Sequence, residues 1–187
     1  MSKGKLFVIS GASGVGKSTV LKEVMAARSD LRFSVSATTR PPRPNEAEGI
    51  DYFFVSKEEF RDMIARNAFL EYDDHMDAFY GTPLDQLEEK LAVGNVILDI
   101  EPNGAFAVRE KRPDATLIFV EPPSMEELEA RLRGRGNTSE EQVRKRLNRA
   151  RWEMTQRDKY DHVVVNDQVD TCVEQILHII AEKADKE

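Results

Sequence analysis

Eight residues near the start of the chain, Gly11-Ala12-Ser13-Gly14-Val15-Gly16-Lys17-Ser18, have the types and spacing for phosphate chemistry. They complete the pattern G-x-x-x-x-G-K-[ST], whose glycines let the backbone wrap tightly so that its N–H groups converge on phosphate oxygens. Lys17 would neutralise the β- and γ-phosphates of a nucleotide as charge shifts during transfer, and Ser18 would offer its hydroxyl to Mg²⁺. Thr19, the next residue, is counted with them as an ATP contact. Glycine-rich turns are common in general. The full motif, placed after an apolar run and before a helical stretch, favours nucleotide binding by roughly ten to one.

A second set of residues suits an acceptor. Arg40 and Arg43 stand three apart in a proline-stiffened loop, the geometry of a fork for another phosphate, although an arbitrary R-x-x-R reads first as a solvated basic loop. Tyr52 and Tyr80 each bring a phenolic O–H to the same group, although either alone reads equally well as a rim aromatic of a small sheet. Asp99 closes an apolar run, where a strand-end carboxylate can organise Mg²⁺ or its waters. Between Arg131 and Arg157 there are nine Lys or Arg against three Glu, a basic island suited to a small polyanion.

The elements that must position these groups follow from periodicity and punctuation. Residues 5–10, 95–100, 116–120 and 162–165 are short apolar runs that read as buried strands, with 33–39 as a further strand. Helices are expected over 18–28, from Thr82 as N-cap and Pro83 as first helical residue to about 93, and from Pro102 to before Pro113. Others follow the capping pairs Ser124–Glu127 and Thr138–Glu141, the second running to about Arg157, and a last one covers 169–184. Residues 40–49 are loop. Over 51–81 the pattern changes to short strand-like pieces around one helix capped by Ser56 and Glu59, an inserted antiparallel unit. Strands alternating with helices make an α/β protein, with a parallel sheet flanked by helices.

The chain resembles the guanylate kinases. Ser36-Ala37-Thr38-Thr39-Arg40-Pro41-Pro42-Arg43, Gly49-Ile50-Asp51-Tyr52-Phe53-Phe54, Glu71-Tyr72, Tyr80-Gly81-Thr82 and Gly134-Arg135-Gly136 occur in that family's order, and the likeness covers essentially the whole sequence. The resemblance implies a P-loop NTPase-type core of residues 1–34, 83–125 and 158–187, an inserted α+β acceptor-binding subdomain over 35–82, and a helical lid over 126–157. It implies Mg²⁺-dependent transfer of the ATP γ-phosphate to GMP. The guanine is assigned to Glu71 and Thr82, with Ser36 as a further polar contact; a carboxylate and a hydroxyl complement the N1–H, N2–H₂ and O6 of that base. Arg131, Arg135 and Arg146 become lid arginines that reach phosphates, and Asn166 lies beside the adenine of ATP. Arg133, Lys145, Arg149 and Arg151 are left as a solvated basic face. Where the family shows Asp-Ile-Asp, then an apolar residue, Gln and Gly, this chain has Asp99-Ile100-Glu101-Pro102-Asn103-Gly104. Glu101 therefore takes the base-side position with one methylene more. A GMP phosphate is mostly dianionic at neutral pH and needs no general base. The task left to the protein is to align and screen two anions and to exclude water.

The resemblance implies the small molecules ATP and GMP as partners, with dGMP as an open alternative acceptor. A formal charge of −7 counts against a nucleic-acid binder. No apolar run reaches membrane-spanning length, and the first residues lack the pattern of a secretory signal, so a cytoplasmic protein is expected, as monomer or homodimer. The single cysteine, Cys172, reads as a buried small hydrophobe. Two other readings share these motifs: a kinase acting on ribose 1,5-bisphosphate, and a non-catalytic guanylate-kinase-like binding module. The first has no use for Glu71 with Thr82, and the second would carry an eroded phosphate loop.

Overall fold

The structure is a computed structural model that describes residues 4–75, 77–134 and 139–184. Its core is a five-stranded parallel sheet in the order β2-β7-β1-β8-β9, formed by β1 (Leu6–Gly11), β2 (Leu31–Phe33), β7 (Asn95–Asp99), β8 (Thr116–Glu121) and β9 (His162–Val165). The three inner strands β7, β1 and β8 are apolar on both faces, as a sheet covered on both sides requires. Phe7, Ile9, Ile97, Ile118, Val120 and Val164 share one cluster with side chains of α1 (Lys17–Ala27), α5 (Met125–Gly134), α6 (Glu140–Met154) and α7 (Val169–Ala184). Leu6, Val8, Val96, Leu98, Leu117 and Phe119 form the other, against α3 (Leu84–Val93) and α4 (Pro102–Lys111). Cys172 is buried in the first cluster, its thiol pushed up to about 11 by burial.

A second, four-stranded sheet has the order β4-β3-β6-β5, made of β3 (Ala37–Thr38), β4 (Phe53–Phe54), β5 (Phe69–His75) and β6 (Ala78–Pro83). Helix α2 (Lys57–Ala65) opens with the expected capping box, Ser56 on the Glu59 N–H and Glu59 on the Ser56 N–H. It seats Phe60 between Phe69 and Phe79, with ring centroids 4.4 and 5.4 Å away. That aromatic stack gives the small sheet its own core.

Several expectations need correction. The single strand over 33–39 is two strands in two sheets: the Ser34 N–H still bonds Ile97 O in the core, whereas Ala37 already pairs with Phe53 and Gly81. The small sheet is mixed rather than antiparallel, because β3 and β4 run parallel. Thr82 is not a helix cap. Strand β6 continues through it to Pro83, which stands at the N-cap of α3, and pairing of Pro83 with Phe69 overrides the local cap signal. The capping box of α6 uses Ser139 and Gln142, one residue beyond the expected pair, and Thr138 lies outside the described residues. That helix ends at Met154, and a 3₁₀ turn over Arg157–Lys159 follows. Among the described residues no helix is long and apolar enough to cross a membrane.

Candidate active site

A cleft of about 390 Å³ opens between the two sheets, lined on one wall by residues 11–18 and on the other by Ser36, Arg43, Tyr52, Glu71 and Tyr80. The first wall is the loop between β1 and α1. Gly16 sits at the N-cap of α1 with φ 94°, a left-handed conformation that a side chain would strain. Among the described residues the backbone N–H groups of Gly14, Gly16, Lys17 and Ser18 bond no protein acceptor, while Val15 N–H turns back to Ala12 O. Four donors at a helix N-terminus are thus left for an anion. The Lys17 Nζ lies 2.5 Å from Asp99 Oδ1 at the end of β7. Burial pulls its pKa down, but Asp99, Glu101 and Glu153 outweigh burial and hold it above the usual lysine value. The ammonium is therefore a fixed positive charge.

Ser18 is exposed at the start of α1, and its hydroxyl and the Asp99 carboxylate line the same cleft. Such hard oxygen donors suit Mg²⁺, which keeps waters and phosphate oxygens as its remaining ligands. Among the described residues no group of three His, Cys, Asp or Glu side chains forms a ready-made metal cage. Thr19, the other hydroxyl counted with the loop, is exposed on the same first turn.

On the opposite wall Glu71 is 5% exposed and Thr82 fully buried, and the Thr82 hydroxyl donates to Glu71 Oε1 at 2.6 Å. Burial pushes the Glu71 carboxyl up, the Thr82 hydrogen bond opposes that, and the charge of Asp73 adds to it. With its proton committed to Glu71, Thr82 has only an acceptor left for a ligand. Arg40 does not point free into the cleft. Its guanidinium donates to both oxygens of Glu46 at 2.6 Å, lies 5.0 Å from the Tyr52 ring centroid and also bonds Tyr80. Glu46 accepts the Arg43 N–H as well, at 2.9 Å, and the Arg40 guanidinium holds its carboxyl down at about 2. The sequence reading missed Glu46, for which only its proximity to two arginines in one loop gave a signal. Arg43 is exposed and lines the cleft; Tyr52 and Tyr80 meet edge-on with centroids 6.0 Å apart, and burial, then Asp99, raises the Tyr52 phenol.

The arginines expected of a lid divide. Arg146 lines the cleft. Arg131 does not: its guanidinium donates to Asn166 O at 2.9 Å and to Glu127 at 3.1 Å, tying α5 to the segment after β9. Asn166 is buried and donates its amide to Val15 O at 2.8 Å, so in this state it braces the phosphate loop. Arg135 lies outside the described residues. Arg149 overturns the solvated-face reading. It lines the cleft, pairs with Glu101 at 3.0 Å and with the fully buried Glu153 at 2.7 Å. Val143, Leu147 and Ala150 put that side of α6 against the core, and this apolar spacing was the available signal. Glu101 also lines the cleft, but its carboxylate is committed to Arg149 and to Glu153. Within this pair burial, then Glu101, drives Glu153 up, while Lys17 and Arg149 outweigh burial and bring Glu101 down. Arg133 and Lys145 pair only with neighbouring glutamates on exposed ground, as expected.

Gly104, in the first turn of α4, also lines the cleft and packs against Glu71. A Cβ built there would lie 2.8 Å from Glu71 Oε2 and 3.3 Å from its Cδ. Gly104→Ala is thus expected to displace the Glu71 carboxylate, raising the KM of a substrate held on that wall about tenfold while leaving the KM of one held on the phosphate loop within about twofold, a contact loss near 1.4 kcal/mol. Steady-state kinetics with each substrate varied in turn checks this.

A sequence profile of the family described as Guanylate kinase matches residues 3–183. A guanylate kinase of Neisseria gonorrhoeae is 48% identical over 179 residues, spanning 95% of this chain and 87% of that one. One of Caldanaerobacter subterraneus is 49% identical over 183 residues, 97% and 89% of the two chains, and one of Rubrobacter xylanophilus is 48% identical over 181 residues, 96% and 95%. The crystal structure of guanylate kinase from Anaplasma phagocytophilum is similar with a TM-score of 0.82 at 32% identity, covering 99% of this chain and 88% of that one.

Proposed function

The chain belongs to the guanylate kinase family and transfers the γ-phosphate of ATP to GMP, and from that premise we propose how its residues divide the work. The observation that carries the division is the shared cleft, with the phosphate loop on one wall and Glu71, held from behind by the buried Thr82, on the other. ATP phosphates rest on the free N–H groups of the loop, and Lys17 exchanges Asp99 for phosphate oxygens. Ser18 and Asp99 would hold Mg²⁺, which when bound would supply charge neutralisation on the phosphates.

GMP enters from the other side. Glu71 accepts from guanine N1–H, the Thr82 oxygen accepts from N2–H₂, and Ser36 adds a polar contact. Arg43, Tyr52 and Tyr80 take the GMP phosphate, with Arg40 held at its station by Glu46. Arg146 and Arg149 screen the two anions as they approach, and Arg131 and Arg135 join when the lid closes. The GMP dianion then attacks the γ-phosphorus in line, and ADP departs. The site of action is the cytoplasm, where both nucleotides are available.

The metal requirement tests this division directly. Excess EDTA is expected to abolish ADP formation in a coupled assay, and added Mg²⁺ to restore it. Asp99→Asn should raise the Mg²⁺ concentration at half-maximal rate about tenfold or more. Undiminished turnover in EDTA, or an unchanged Mg²⁺ requirement in the variant, would remove Ser18 and Asp99 from that role.

A further inference from the structure

Glu153 has no part in the roles above, yet it is wholly buried. It stands on α6 beside Val143, Leu147 and Ala150, all in the core. A carboxyl in such surroundings is costly unless its partners compensate, so for packing alone an apolar side chain would serve. Its partners join three elements. Oε2 accepts the Ser13 N–H at 2.6 Å, Oε1 accepts from Arg149 Nε at 2.7 Å, and the carboxyl is also hydrogen-bonded to Glu101, which precedes α4. Arg149 Nη2 closes the ring on Glu101 Oε2 at 3.0 Å. Ser13 is the third residue of the phosphate loop, and its N–H has no other acceptor among the described residues.

We propose that Glu153 is a positioning residue for the ATP side of the reaction. It clamps the phosphate loop through Ser13 and fixes that loop relative to Arg149. It touches neither substrate. ATP therefore meets a loop already shaped to receive it, while Ser36, Arg43, Tyr52, Glu71 and Tyr80 stand on or beside the other sheet and take no bond from Glu153 among the described residues.

The full-length chain, with Glu153→Ala, Glu153→Asp and Glu153→Gln, provides the test. KM is measured for ATP and GMP separately, and ADP affinity by calorimetric titration without GMP. Glu153→Ala is expected to raise the KM for ATP and the Kd for ADP about tenfold, with the KM for GMP within about twofold. Glu153→Asp, one methylene short of spanning Ser13 and Arg149, should show the same selectivity and decides the matter if the alanine variant does not fold. Glu153→Gln keeps an acceptor for the Ser13 N–H and should recover ADP affinity to within about threefold. A role confined to stability would lower the folded fraction without separating the two KM values. Equal changes in both KM values, unchanged ADP affinity in the aspartate variant, or a glutamine variant no better than aspartate would each overturn the proposal.

Discussion

Lys17→Met should leave a folded protein whose kcat is lower by about 10³-fold, a loss near 4 kcal/mol at the transition state. Methionine matches much of the lysine stem and removes only the charge. In the wild type that charge is permanent, because Asp99 at 2.5 Å and the nearby Glu101 and Glu153 hold the ammonium protonated. Without it the same carboxylates turn the floor of the cleft against incoming phosphates, so the KM for ATP should rise about tenfold as well. Lys17→Arg is not expected to rescue, since a planar fork does not fit the place of a compact ammonium. Circular dichroism checks the fold, because Asp99 keeps 27% exposure and can turn to water when its partner is lost. A coupled ADP assay reads kcat, and a value within tenfold of wild type would exclude Lys17 from the chemistry.

Glu71→Gln should separate recognition from stability. The amide keeps an oxygen for the Thr82 hydroxyl but turns an NH₂ toward the place of guanine N1–H, so donor faces donor. Sites built to hydrogen-bond a substrate reject a mismatch strongly, and kcat/KM for GMP should fall about 10³-fold with ATP binding intact. Stability should not fall. Burial holds the Glu71 pKa above its ordinary value of 4.5, so the folded chain keeps that proton longer than the unfolded chain. Stability attached to this group is undiminished below pH 4.5 and declines as pH rises through the folded pKa. Glutamine removes that decline. Its Tm at pH 7 should equal or exceed wild type, and any advantage should vanish below about pH 4.5. The wild type should also lose GMP affinity on acidification from a pH above that value, because protonation weakens the acceptor offered to N1–H and introduces an O–H donor beside it. A Tm lowered by the substitution, or kcat/KM for GMP within tenfold of wild type, would count against the role given to Glu71.

What could be read in advance follows the range of each interaction. The phosphate loop is a local motif, and its strand and helix neighbours are local too, so residues 11–18 were legible from spacing alone. The break between β2 and β3 was not: Ser34, Val35 and Ser36 contain no Gly or Pro, and the alternation that suits one sheet suits the other. Thr82 before Pro83 has the chemistry of a cap, and only pairing with β5, unseen in the sequence, makes it a strand residue. Glu153 and Arg149 were hidden for a similar reason. Their partners Ser13 and Glu101 lie far away in the chain, and a charged residue on a basic helix looks solvated until the fold encloses it.

The strand order carries a consequence for synthesis. Leu6 of β1 pairs with Val96 and Phe7 with Thr116, so neither neighbour of the central strand exists when that strand leaves the ribosome. At about 5–20 residues per second, this apolar segment waits seconds for its partners. The small sheet has no such delay, because β5 and β6 form a hairpin and Phe60 finds both of its stacking rings within the same stretch. The acceptor unit should thus gain structure first, with the catalytic strand held open as the segment most exposed to self-association in a stalled or truncated chain.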